Sequence, residues 1–140
     1  MFQRVIRPLF TKPLTTQVRR FFDLHEYQSK DLMRKFGVLV QRGDIATTPE
    51  QAEKVARDLN VTDGDLILKC QVHAGGRGKG TLSSGLKGGV QILKTPQQVK
   101  DFSTKMLGYN LVTHQTTAEG LKVNAVLIHE GVDIVRQIYL

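Results

Sequence analysis

Apolar residues recur along the chain with two periods, and the changes between them divide it into short elements. Leu24, Tyr27, Leu32, Met33 and Phe36 fall at helical spacing with Gly37 behind them, which predicts a helix over about residues 25–36 closed by a C′ glycine. Val38–Val40 and Ile45-Ala46 read as short extended segments around Arg42-Gly43. Thr48-Pro49-Glu50-Gln51 carries helix-start chemistry: a capping hydroxyl, a first-turn proline and a glutamine to complete a capping box. Ala52, Val55, Ala56 and Leu59 form the apolar stripe of that helix, and Asn60 can close it.

A turn at Thr62-Asp63-Gly64-Asp65 leads to a strand over Leu66–Val72, and after a glycine-rich run Val90–Leu93 reads as another. Thr95-Pro96-Gln97-Gln98 repeats the helix start, with Val99, Phe102 and Met106 as stripe and Gly108 as stop. Leu111–Thr113 and Val123–Ile128 are strand candidates, and Ile138-Tyr139-Leu140 begins one more. The order is mixed α/β (α+β) with no internal repeat.

Charge is unevenly placed. The formal charge is +7, but Arg4, Arg7, Lys12, Arg19 and Arg20, with no acid among residues 1–22, supply +5 of it. Residues 23–140 are only mildly basic, so a general charge argument for nucleic-acid binding falls away. The acid-free, arginine-bearing opening reads as an organellar targeting peptide; Arg7 splits the apolar run a secretory signal would need. The bland reading is a disordered basic tail. No stretch approaches the roughly 18 apolar residues that would span a bilayer, so no membrane partner is expected. The single cysteine, Cys70, excludes an internal disulfide framework, and its place in an apolar run marks a small buried filler before a nucleophile.

The run Lys69-Cys70-Gln71-Val72-His73-Ala74-Gly75-Gly76-Arg77-Gly78-Lys79-Gly80 carries most of the chemistry. Glycine allows close backbone approach, successive N–H groups can form an anion-binding nest, and Arg77 and Lys79 add positive charge. The pattern is GxGxG rather than GxGxxG, and it lacks the GK[ST] ending of a P-loop. Phosphate binding, a flexible surface hairpin and a glycine- and arginine-rich RNA segment are the three readings that spacing alone leaves open. Missing aromatic interleaving weighs against the RNA reading. His25 and His73 read as lone structural or loop histidines, and no paired carboxylates stand near the loop to hold Mg²⁺.

Together, Leu24-His25-Glu26-Tyr27-Gln28-Ser29-Lys30 and Lys69–Gly80 resemble the opening of the succinate–CoA ligase β-subunit family, and the resemblance runs from about Leu24 to Leu140. The longer loop Thr81–Lys87 before Gly88-Gly89-Val90 is similar to that of mitochondrial members. The resemblance implies an ATP-grasp fold, of which residues 23–140 would be an incomplete first nucleotide-binding subdomain, with the rest of the grasp and a CoA-ligase domain absent. It implies a targeting peptide over 1–22 and a place in the mitochondrial matrix. The implied activity interconverts succinyl-CoA, phosphate and a nucleoside diphosphate, ADP before GDP, with succinate, CoA and the triphosphate. The implied partner is an α subunit that carries the phosphohistidine.

By motif, Lys69 would reach the nucleotide phosphates, Gly76, Arg77 and Gly78 would cover them, and Leu127–Val132, with His129 and Val132, would form the hinge beside the base. His129 stands where many members have glutamate, with Glu130 next. Gln137 replaces another nucleotide-contacting glutamate. The implied Mg²⁺ ligands lie beyond Leu140, so the chain alone is expected not to turn over. The abrupt apolar ending is read as a truncation. Competing expectations are a related acyl-CoA ligase, of malate–CoA ligase or citrate lyase type, and a non-catalytic fragment binding nucleotide or the α subunit.

Overall fold

A computed structural model describes residues 23–138. The expected targeting peptide over 1–22 lies outside the described residues, as do Tyr139 and Leu140. The elements are α1 (Glu26–Lys35), β1 (Gly43–Ala46), α2 (Pro49–Leu59), β2 (Leu66–Cys70), β3 (Thr81–Leu82), β4 (Val90–Leu93), α3 (Pro96–Met106), β5 (Asn110–Val112), β6 (Leu121–Lys122) and β7 (Val126–Glu130). A 3-10 turn over Arg77–Lys79 sits in the glycine run.

The main sheet has the order β1-β7-β2-β4 and is antiparallel throughout. A smaller antiparallel sheet, β3-β5-β6, takes its first strand from the chain between β2 and β4 and the other two from the chain between α3 and β7. Strand β2 alternates: Leu66, Leu68 and Cys70 are buried, Ile67 and Lys69 partly exposed. That period of two sends alternate side chains to opposite faces. Helices α2 and α3 pack on each other and cover the first face, where Leu68, Ile128, Val99, Met106 and Ala52 form the centre of the core. Cys70 is fully buried among them, which pushes its thiol up to about 12; it is a filler.

Helix ends follow the expected chemistry with one change. Thr95 Oγ1 accepts the Gln98 N–H at 3.2 Å while Gln98 Oε1 accepts the Thr95 N–H at 3.3 Å, a closed capping box. Thr48 caps α2 in the same way, but Gln51 reaches past it to the Thr47 N–H, at 3.0 Å. Asn60 closes α2 in the left-handed conformation, φ +48°, as its short polar side chain permits.

Three expectations need correction. Val38–Val40 forms no strand and is largely solvent-facing. Strand β2 ends at Cys70, and the Gln71 N–H still donates to the Ala125 carbonyl in the register of β7. Of the expected strand over Val123–Ile128 only Val126–Ile128 is strand, the start of β7; residues 123–125 link it to β6, which belongs to the other sheet. The strand expected to begin at Ile138 falls mostly outside the described residues, Ile138 itself being irregular. The apolar residues of α1 are also not its buried side: Phe36 is 80% exposed, while Lys30 is buried.

Leu68→Ala is expected to cost about 3 kcal/mol, as is usual for truncating a fully buried leucine, and Thr95→Ala about 1 kcal/mol. Urea unfolding of the two variants checks both the size and the order of these losses.

Candidate functional site

Among the described residues no helix pair covers the second face of the main sheet; α1 stands over only its β1–β7 side, with Tyr27 and Lys30 near Leu127 and His129. The register pairs Ile67 with His129 and Lys69 with Leu127, and on the far side Ile67 with Ile92 and Lys69 with Val90. These residues therefore share one face. A cleft of about 560 Å³ opens over it, with Ile67 and Ile92 as apolar walls and Lys69, His129 and Val132 on its lining. Asp63, Asp65 and Asp133 stand on the same lining, and Lys94, also on it, pairs with Asp65 at 2.5 Å. The Gly131 N–H donates to the Asp65 carbonyl at 2.6 Å, which ties the segment after β7 to the turn before β2. Lys69 lies at the opposite end of β2, so the cleft is acidic at one end and cationic at the other.

At the cationic end three segments meet. Lys69 Nζ donates to Glu26 Oε1 at 2.9 Å, and Arg77 Nη2 donates to Glu26 Oε2 at 2.8 Å. Arg77 Nη1 donates to the Cys70 carbonyl at 2.7 Å, so the guanidinium is held by a carboxylate and a backbone group at once. Lys30 Nζ stands 3.8 Å from Glu26 Oε1. Burial, the largest single influence on Glu26, pushes its carboxyl up, but hydrogen bonds and charge from Lys69 and Arg77 outweigh it and hold the group below its ordinary value. Burial pushes Lys30 down.

His129 is 5% exposed. Its Nδ1 lies 2.7 Å from the Glu130 carbonyl, which can only accept, so Nδ1 carries the proton. In the neutral ring Nε2 is then an acceptor, and it is buried without a hydrogen-bond partner among the described residues. Burial lowers the pKa of the ring first, and Lys30 and Lys69 lower it further, against the opposing carbonyl bond. Glu130 is turned away: its Oε2 accepts from Arg42 Nε at 2.7 Å. Of the two neighbours, His129 is the one that lines the cleft.

The remaining expected residues fall elsewhere. Gly76 has φ +72°, and a Cβ there would stand 2.4 Å from the His114 ring, so this glycine is required by the turn itself. Gly78 has open space around it and lines a separate groove of about 280 Å³ with Lys79, Lys87, Val90 and Gln91. Gln137 is exposed in irregular chain and lines neither. His25 and His73 are not lone: their rings stack with centroids 3.8 Å apart, and Tyr27 stacks on His25 at 5.9 Å. They lie beside a further hollow of about 500 Å³ with Ile45, Gln71 and Leu121.

Glu26, Lys30, Gln41, Ile67 and Ile92 belong to the site region and were not singled out by the sequence. Alternation along β2 could have placed Ile67 beside Lys69; no local pattern marks Glu26. Among the described residues no group of three or more His, Cys, Asp or Glu side chains is gathered to hold a metal ion, so these residues do not fit a Mg²⁺ site. No helix of the described residues is long and apolar enough to cross a membrane.

A sequence profile of the ATP-grasp domain matches residues 23–140. The chain is 46% identical to the mitochondrial β subunit of GDP-forming succinate–CoA ligase from Mus musculus, over 99% of this chain and 32% of that protein. It is 51% identical to the corresponding subunit from Sus scrofa, over 87% of this chain and 28% of that protein. A hydrogenosomal β subunit of ADP-forming succinate–CoA ligase from Neocallimastix frontalis is 45% identical over 94% of this chain and 30% of that protein. The chain thus spans about a third or less of the length of these relatives.

Histidine burial sets a pH dependence. His25 and His129 are both held below 6.5, His25 by burial and then by the charges of His73 and Arg77. A group lowered in the folded state contributes stability above its unfolded value and loses it as pH falls. The thermal midpoint is therefore expected to drop as pH falls beneath about 6.5, and His129→Gln is expected to flatten that slope. Glu26 contributes above 4.5 and loses its contribution beneath that value, a separate and lower window. A wild-type midpoint that stays level between pH 7 and pH 5 would contradict the histidine assignment.

Proposed function

Since the chain belongs to the ATP-grasp family, we propose that it is the nucleotide-binding part of a succinate–CoA ligase β subunit. The observation that carries this reading is the two-ended cleft on the open face of the main sheet. Its apolar walls, Ile67 and Ile92, suit the flat faces of a purine. The carboxylates at one end suit hydroxyl and amino donors, and the cations around Glu26 at the other suit phosphate. Lys69 is the charge at the junction of the two.

The remaining roles are part of the same proposal. An α subunit completes the enzyme and succinate and CoA are its further substrates; ADP is the expected nucleotide before GDP. Residues 1–22 direct the protein to the mitochondrial matrix. Val132 and His129 stand beside the base, Gly76 shapes the covering loop, and Gly78 lets the phosphates approach the backbone. Arg77 acts from its bonds to Glu26 and Cys70. Gln137 contacts the nucleotide only if the segment after Gly131 folds back over the cleft. Mg²⁺ serves the whole enzyme from ligands outside this chain, and no step here runs through it.

Isothermal titration with ADP and GDP tests the reading. The wild-type chain is expected to bind, and Lys69→Ala to weaken binding at least tenfold, on the order of the loss of one charge-assisted phosphate contact. Gly78→Ala meets no neighbour in the free protein; it is expected to leave the thermal midpoint unchanged and still weaken nucleotide binding. Equal affinity in wild type and Lys69→Ala would remove the reading. Comparison of ADP with GDP decides the base.

A further inference from the structure

Glu26 is assigned no role of its own above, yet its side chain bridges two of the residues that the sequence motifs point to. Both of its oxygens are used: Oε1 by Lys69 at 2.9 Å and Oε2 by Arg77 at 2.8 Å, with Lys30 3.8 Å from Oε1. The three principal side chains are 23%, 23% and 22% exposed, so salt screens them less than it would surface pairs. The contacts join three separate pieces of chain: the first turn of α1, the end of β2 and the glycine run. A carboxylate in a helix's first turn is also favoured by the helix dipole.

The charges do not balance. Three cations surround one carboxylate, and the neutral His129 adds nothing to offset them. The group keeps a net positive charge, which a phosphate chain would neutralise. Without the carboxylate, Lys30, Lys69 and Arg77 would repel one another. The long stem of Lys69 would then be free to leave the cleft.

We infer that Glu26 is a positioning residue for the nucleotide's phosphate groups: it holds Lys69 and Arg77 at a fixed spacing and leaves their surplus charge for the ligand. The inference rests on the nucleotide-binding reading and adds to it a residue and a sign. Elementary electrostatics says that removing a negative charge from an anion site strengthens anion binding. A positioning role gives the opposite sign, because the cations it organises disperse.

The experiment titrates ADP and inorganic pyrophosphate into the full chain, as wild type, Glu26→Gln, Glu26→Asp and Lys69→Ala, and as the double variant of Glu26→Gln with Lys69→Ala. Glu26→Gln is expected to weaken both probes about tenfold, and the double variant to lose less than the product of the two single losses, since part of the Glu26 effect runs through Lys69 and the rest through Arg77. Glu26→Asp keeps the charge with a shorter reach and is expected to lose a smaller factor at an unchanged thermal midpoint, which serves if Glu26→Gln does not fold. Tighter or unchanged binding in either folded Glu26 variant overturns the inference. Additive losses in the double variant overturn it as well. A wild-type chain that binds neither probe removes the nucleotide-binding reading and this inference together, whereas failure of the inference alone leaves wild-type binding intact.

Discussion

The antiparallel register of β2 against β7 is the constraint on which the rest depends. Pairing Leu68 with Ile128 and Cys70 with Val126 puts one row of side chains under α2 and α3. The same register leaves Ile67, Lys69, Leu127 and His129 on the other face. A slip of one residue would exchange the two rows, burying Lys69 under the helices and exposing Leu68. Core and cleft are therefore two consequences of one alignment. The helix-side row is fully apolar, and that makes the alignment hard to change.

On the open face the balance of charge decides what can bind. A salt bridge that satisfied every cation would make this end of the cleft inert. Here one carboxylate serves two close cations and a third at longer range, so the group is ordered but not neutral. The opposite end, where Asp63 and Asp133 stand beside an Asp65 paired with Lys94, prevents the cleft from being a general anion trap. A ligand that is anionic at one end and donor-rich at the other matches both ends; a bare polyanion matches one.

Much of the fold was legible because its signals are local. Thr48, Thr95, Asn60 and Gly37 punctuate helices through contacts within a few residues, and α1, α2 and α3 stand where those residues place them. The strands β3 and β6 were not legible. Each has two residues, too few to show an alternation, and each exists only because β5 lies between them. The outward-facing apolar end of α1 misled in a different way. Helical spacing reports that a face is apolar; whether anything covers it is decided by the rest of the fold.

The site divides along the same line. Lys69 could be singled out because a cation ending an apolar strand is conspicuous in sequence. Glu26 could not, since its partners lie 43 and 51 residues away and nothing near it in the chain marks a carboxylate as bridging. The stacked His25 and His73 were missed for the same reason: two histidines 48 residues apart in number become one feature only after α1 lies against the end of β2. Glycines show the limit most sharply. Gly76 and Gly78 are equivalent in a motif, but the first is imposed by a left-handed turn against His114 and the second by nothing in the free protein. A glycine that the fold itself does not require is the one whose absent side chain leaves room for a ligand, so Gly78, and not Gly76, is where the loop's binding role can be read apart from its shape.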